Sequence, residues 1–312
     1  MKQNSVHVAA GVVVNAAGEI LIARRPPNTH QGGLWEFPGG KLEDEEAVEV
    51  ALKRELHEET GITVQHAYPL IRIPYAYPDK QVLLDVWKVT EFSGEAHGRE
   101  GQPVKWVQAD ELSSYKFPAA NQPIITAARL PDKYLITGEY GSLEEACAHL
   151  EKRLRDGIRL IQFRAKYLPD DEYRRWAKVL LALCHKYQAL LLLNCEVEEA
   201  SRLGADGIHL TSTRLLACKQ RPLDSEHWVA ASVHNAKELE WAMHINVDFV
   251  VVSPVLKTRS HPGALPLGWE AFYQLTEQAS CPVYALGGVS VEDMQQAFRY
   301  GAQGIAAIRG LA

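Results

Sequence analysis

At 312 residues the chain is long for one hydrophobic core and comfortable for two. Hydrophobic residues make up 46% and charged residues 23%, a globular balance, and a formal net charge of −6 argues against a nonspecific coat on DNA or RNA. No apolar run is long enough to span a bilayer and residues 1–10 lack a signal-peptide core, so neither a membrane nor a direct nucleic-acid partner is expected. Cys147, Cys184, Cys195, Cys218 and Cys281 are scattered with no CxxC pair, which predicts reduced thiols and a cytoplasmic setting.

In chain order, His7–Asn15 and Glu19–Arg24 read as two strands joined by a turn at Asn15–Gly18. The loop Phe37-Pro38-Gly39-Gly40 follows, and then a stretch from Gly40 to Ile62 reads GKLEDEEAVEVALKRELHEETGI. Glu55, Glu58 and Glu59 stand at i, i+3 and i+4, so a helix places the three carboxylates on one face. Like charges so arranged repel, and a hard divalent cation reverses the sign of that repulsion. Arg54 stands where it could hold Glu55, Leu56 and Ile62 would anchor the helix in a core, and Gly61 suits its left-handed C-terminus. A β-rich block spans about residues 68–108, with Gln81–Val89 its clearest strand, and Lys116–Pro123 is punctuated by proline and reads as irregular.

From residue 133 the rhythm changes. Apolar strands are predicted at Tyr134–Thr137, Leu160–Arg164, Leu190–Asn194, Gly207–Leu210, Val229–His234, Phe249–Val255, Val283–Leu286 and Gly304–Ile308, each but the last followed by a helical stretch. Eight such units predict a parallel (β/α)8 TIM barrel. The expected division is a domain over 1–130 and a barrel over 131–312, with the break near Pro131-Asp132.

Gly40, Glu46, Arg54-Glu55-Leu56, Glu58-Glu59 and Gly61-Ile62 fill the nine fixed positions of the Nudix box, so residues 1–130 resemble the Nudix hydrolases. The resemblance implies an α+β fold with a mixed sheet between helices, and magnesium, with manganese as an alternative, held by Glu55, Glu58, Glu59 and the Gly40 carbonyl. Outside the box, Gly98–Pro103 with Trp106, and Pro118–Ile124, are similar to the MutT branch, whose activity is removal of 8-oxo-dGTP from the nucleotide pool. By that match Glu100 completes the metal site and Asn121 reads the purine edge. Arg25 and Phe37 lie near the nucleotide, and Lys80, where the family carries arginine, lies near the rim of the base pocket. The implied reaction cuts an α–β phosphoanhydride to a nucleoside monophosphate and pyrophosphate. Glu55, Glu46 and Glu100 are the candidates for the base that takes a proton from water.

Residues 133–312 resemble the thiamine-phosphate synthase and TenI superfamily through Tyr134–Thr137, Gln162-Phe-Arg164-Ala-Lys166, Asn194, Gly207–Leu210, Ser232-Val-His234, Ser253-Pro254 and Gly287-Gly288. Arg164 and Lys166 would hold a diphosphate, with Gln162 and Asn194 beside them. Backbone amides near Gly287-Gly288 and Arg309-Gly310 would cup a phosphate of a thiamine-related ligand. Two departures stand out. Asn194 is followed by Cys195 where the synthases carry aspartate, and Thr211-Ser-Thr-Arg214 replaces their Gly-Gln-x-Asp, so both expected metal carboxylates are absent. The resemblance therefore implies a degenerate synthase site, a metal-free TenI-type tautomerase with His234 as acid or base, or a non-catalytic phosphate-binding module. Fusion to such a barrel also allows a first domain that acts on thiamine-related diphosphates.

Overall fold

The strand over residues 5–13 packs side chains on both of its faces, and this decides how the first domain is layered. In the computed structural model, which describes residues 5–29, 31–77, 80–258, 263 and 265–311, β1 (Ser5–Val13) sends Ala10 and Val12 to one face and Ala9 and Val13 to the other. The chain continues through β2 (Ile20–Arg24), β3 (Trp35–Glu36), β4 (Gly39–Lys41), α1 (Val48–Thr60), β5 (Thr63–Ala76), β6 (Gln81–Ser93), β7 (Val104–Val107) and α2 (Gln122–Arg129). One sheet has the order β4-β1-β6-β5, with β1 and β6 parallel and the other pairs antiparallel; the second has the order β3-β2-β7. The β1 and β2 segments do not form a simple hairpin. Apart from a bridge between Val14 and Ile20 they separate into the two sheets, so each β1 edge is paired with β4 or β6.

Helix α1 buries Ala51, Leu52, Leu56 and Thr60, a stripe at helical spacing, against Ala9, Val13, Leu21, Ile62 and Val89. Full burial of Leu52 and Leu56 stabilises this packing by about 1.5–3 kcal/mol each. The opposite face of the sheet packs on α2 through Ile124, Ile125 and Ala127. This helix begins inside the stretch expected to be irregular: Pro118 and Pro123 sit at or near helix starts, where a missing N–H costs nothing. Gly61, at φ 74°, ends α1 and donates its N–H to the His57 carbonyl.

The chain divides into two compact units after Arg129, one residue before the expected break. The second unit runs β8 (Lys133–Ile136), α3 (Leu143–Arg155), β9 (Leu160–Phe163), α4 (Asp170–Lys186), β10 (Leu190–Leu193), α5 (Val197–Leu203), β11 (Gly207–Leu210) and α6 (Ser212–Ala217). It continues with β12 (Trp228–Val233), α7 (Ala236–His244), β13 (Phe249–Val252), α8 (Gly268–Thr276), β14 (Val283–Leu286), α9 (Met294–Arg299) and β15 (Gly304–Ala307). The strands are parallel and close into a barrel in which β15 pairs with β8. Inward side chains of alternate positions, among them Tyr134, Ile136, Leu160, Leu192, Ala230, Phe249, Val251 and Tyr284, fill the interior. All eight expected strands are present, displaced by three residues at most. No helix of the described residues is long and apolar enough to cross a membrane.

Candidate active site and phosphate cup

The first unit gathers its chemistry where α1, β4 and two loops meet. Gly39 is at φ 149°, and a β-carbon there would collide with the Ala9 carbonyl of β1. A β-carbon on Gly40 would collide with the Glu55 carboxylate, so the bare backbone of β4 is what lets Glu55 lie against it. The Gly39 N–H donates to Glu59 Oε2 at 3.0 Å. Arg54 organises the acids behind: its Nε and Nη2 donate to the two Glu46 oxygens at 3.0 and 2.8 Å, and Nη1 donates to Glu55 at 2.8 Å and Glu58 at 3.2 Å. The sequence assigned Arg54 to Glu55; its two-pronged partner is Glu46. These bonds hold the Glu46 carboxyl down to about 2.

Glu59 behaves oppositely. Burial raises its pKa to about 8, and the neighbouring carboxylates Glu36, Glu55 and Glu100 add to the rise against the Gly39 bond. Four carboxylates thus share one corner, in which Arg25 pairs with Glu36 and Arg54 bonds Glu55. Glu58 is the outlier of the predicted trio, with its side chain 55% exposed. Among the described residues no three acidic, histidine or cysteine side chains form a preformed metal cage. Magnesium does not require one, since it keeps several waters and relies on one or two carboxylates plus substrate phosphates. The negative corner and the Gly40 cradle suit such an ion.

A cavity of about 340 Å³ opens onto this corner. Gly40, Glu59 and Glu100 line one part of it, and Arg25, Phe37, Lys80 and Asn121 line the rest, so the predicted substrate residues share one space with three of the predicted metal residues. Glu46, Arg54, Glu55 and Glu58 lie outside that lining, in the Arg54 network. Phe37 stacks on Phe117 with ring centroids 5.4 Å apart, and Lys80 Nζ lies 5.7 Å from the centre of the Tyr77 ring. Sequence reasoning missed Glu36 and Tyr77. Glu36 is ion-paired with Arg25, and burial still raises its carboxyl above the usual range. Its place directly before Phe37-Pro38-Gly39-Gly40 was the available signal.

In the barrel, Gly287 and Gly288, at φ 99° and 72°, curve around a cavity of about 430 Å³ together with Lys257, Ser290, Arg309 and Gly310. β-Carbons at the two glycines would strike Pro254 and the Lys257 carbonyl. Gln162 is buried at the end of β9, Arg164 is half-buried with its N–H bonded to Thr137 Oγ1 at 2.9 Å, and Lys166 is exposed. Asn194 donates to the His209 carbonyl at 3.1 Å. His234 is exposed, with Nδ1 2.9 Å from Glu238. None of these five lines the Gly287-Gly288 cavity.

Deeper in the barrel, His209 joins Tyr134 Oη at 3.0 Å and Ser232 Oγ at 2.8 Å, a link that sequence patterning did not single out. Burial, helped by Arg164, lowers His209 to about 3, so it is neutral there. At the two departures, Cys195 is hydrogen-bonded to Tyr173 and burial pushes its thiol up to about 11, while Arg214 holds Glu196 through contacts of 2.9 and 2.7 Å. All five cysteines are free thiols.

Comparison with known proteins resolves the two units separately. Residues 9–127 match the NUDIX domain model, and residues 133–311 match the model of thiamine monophosphate synthase. The 8-oxo-dGTP diphosphatase of Escherichia coli is 42% identical over 120 residues, 38% of this chain and 93% of that protein. That of Proteus vulgaris is 44% identical over 101 residues, 32% of this chain and 90% of that protein. The Aquifex aeolicus protein named "Putative thiamine-phosphate synthase 2" is 37% identical over 179 residues, 57% of this chain and 96% of that protein. The chain belongs to the Nudix family over its first unit and to the thiamine monophosphate synthase family over its second. The Nudix unit therefore carries the fold and box of the phosphoanhydride hydrolases, and the synthase-family barrel carries the closed parallel sheet of its relatives.

Proposed function

We propose that the Nudix unit is a magnesium-dependent 8-oxo-dGTP diphosphatase, releasing the nucleoside monophosphate and pyrophosphate. The observation that carries this reading is the single cavity shared by Asn121, Phe37, Glu59, Glu100 and the Gly40 backbone. It joins an amide able to donate and accept along a purine edge to a carboxylate corner suited to a phosphate-bound cation. Glu55, Glu59, Glu100 and the Gly40 carbonyl would hold magnesium, with Glu58 on the exposed side and manganese as a substitute. The ion, when bound, would neutralise phosphate charge and acidify water. Arg25 and Lys80 add positive charge at the cavity wall, and Phe37 offers the base an apolar face. Of the three candidate bases, Glu46 is the weakest, because the Arg54 bonds hold its proton affinity far down; Glu55 and Glu100 remain. A cytoplasmic setting, where nucleotides are present and thiols stay reduced, belongs to the same reading. The test is the ratio of kcat/KM for 8-oxo-dGTP to that for dGTP; a ratio well above one is expected, and a ratio near one contradicts sanitation.

A second reading concerns the barrel, and the cup around Gly287 and Gly288 with Lys257 and Arg309 supports it. The barrel takes a thiamine-related phosphate without the synthases' metal carboxylates, as a binding module or a degenerate synthase. Calorimetric titration of the full chain with thiamine phosphate in chelator should show binding that Arg309→Ala weakens about tenfold, the order expected for one charge-assisted contact. No heat in the wild type sinks this reading. Faster hydrolysis of a thiamine diphosphate than of any nucleotide would instead assign the Nudix unit to thiamine metabolites.

A further inference from the structure

The last carbonyls of α1 have no partners within the helix and must find them elsewhere. They find them in the loop 95–103. The His97 N–H donates to the Thr60 carbonyl and the Arg99 N–H to the Glu59 carbonyl, both at 3.0 Å, and Arg99 Nη1 donates to the His57 carbonyl at 2.9 Å. Gln102 adds a bond of a different kind. Its Nε2 donates to the Glu59 carbonyl at 3.0 Å while its Oε1 accepts the Glu100 N–H at 2.9 Å. One half-buried amide thus spans the backbones of two carboxylate residues, one at the end of the helix and one on the loop. The turn between is tight: Gly101 is at φ 81° and donates to the Gly98 carbonyl, and a β-carbon on Gly98 would strike the Gln102 carbonyl. Glu100 sits in this turn, and no hydrogen bond or ion pair among the described residues holds its carboxylate.

We propose that Gln102 is a positioning residue that sets the separation of Glu59 and Glu100 and so tunes divalent-ion binding. The inference rests on the hydrolase reading for its purpose and on the hydrogen bonds alone for its geometry. Only a primary amide of this length donates at one end and accepts at the other. A carboxylate at position 102 would keep the acceptor and lose the donor; a thioether would lose the donor and keep only a weak acceptor. The remaining bonds of the loop cap the helix without touching Glu100, which provides an internal control.

The experiment is Mn²⁺ binding to the full chain without nucleotide, read by electron paramagnetic resonance, with thermal unfolding in parallel. Gln102→Met should raise the Mn²⁺ dissociation constant about 10- to 100-fold, the usual effect of losing an outer-shell partner of a metal ligand. Gln102→Glu retains one of the two bonds and serves should Gln102→Met not fold. Arg99→Met, which loses only its side-chain bond to the His57 carbonyl, should stay within about twofold of wild type. In a Glu100→Gln background, Gln102→Met should add little, because Gln102 acts through Glu100. Wild-type affinity in both Gln102 variants, or equal weakening in Arg99→Met, would overturn the proposal. A wild type that binds Mn²⁺ but hydrolyses no nucleotide would sink the hydrolase reading, while the Gln102 shift would still support the positioning role. A wild type that binds no Mn²⁺ would overturn both.

Discussion

Glu46 and Glu59 carry the same functional group thirteen positions apart, and their surroundings drive them in opposite directions. Two bonds from Arg54 pull Glu46 down to about 2; burial and three neighbouring carboxylates push Glu59 up to about 8. The Glu59 shift has a stability consequence in metal-free protein. The folded-state value lies above the ordinary 4.5, so between 4.5 and about 8 the folded unit retains a proton that the unfolded chain has released. Its contribution is fully present below pH 4.5 and is lost as pH rises through 8. In chelator the Tm of the Nudix unit should therefore fall between pH 5 and 9, and Mg²⁺ should reduce that fall. A Tm independent of pH over this range, with Mg²⁺ without effect, would contradict the carboxylate corner. The Glu46 shift acts only below pH 4.5, with the opposite sign, so it does not mask the effect. The acids of the box were legible because i, i+3, i+4 spacing is a geometric statement. Glu36 was harder to read, because a lone acid between Trp35 and Phe37 has no period and only its place before Phe37-Pro38-Gly39-Gly40 marked it; the fold shows that it faces Arg25 and Glu59.

At the scale of elements, α1 is both a core helix and the carrier of the acids. Its stripe of Ala51, Leu52 and Leu56 sets its rotation, and rotation decides that Glu55 and Glu59 turn toward β4 while Glu58 turns outward. The sequence gives the spacing of the three acids, but the distinction among them comes from packing against the sheet. Leu56→Ala removes a fully buried side chain whose methyl groups lie close against Gly11. It should destabilise the Nudix unit by about 2–5 kcal/mol in chemical denaturation; a loss below about 1 kcal/mol would mean that the helix is not held by this stripe. Strand positions in the barrel were legible because short apolar runs alternated with helical segments. The partition of β1 and β2 into different sheets was not, since the turn at Asn15–Gly18 looks the same whether its strands pair with each other or with distant ones. The helix over Gln122–Arg129 was masked by its prolines, which mark helix entry as readily as loop.

At the scale of the molecule, two family assignments sit in one chain, and the two candidate sites differ in how much of each was written in the sequence. The Nudix site is compact in sequence, with Glu55, Glu58 and Glu59 on one helix and Glu100 on one loop, and Arg25, Phe37, Lys80 and Asn121 line the cavity that Glu59 and Glu100 also line. The barrel site is dispersed over strand ends, so its residues could be named only by resemblance. The structure places Gly287 and Gly288 at a cavity, and finds Cys195 and Arg214 engaged with Tyr173 and Glu196. The central claim is that the α1 carboxylates form a cation-dependent phosphoanhydride-cleaving centre. Its most direct test is the Mg²⁺-dependent release of pyrophosphate from 8-oxo-dGTP by the full chain, compared between wild type and Glu55→Gln. The account predicts a rate lower by about 10³-fold or more in the variant, the order seen when a principal charge-stabilising group is removed, with unchanged thermal unfolding in chelator near pH 5. Undiminished pyrophosphate release by Glu55→Gln would contradict it.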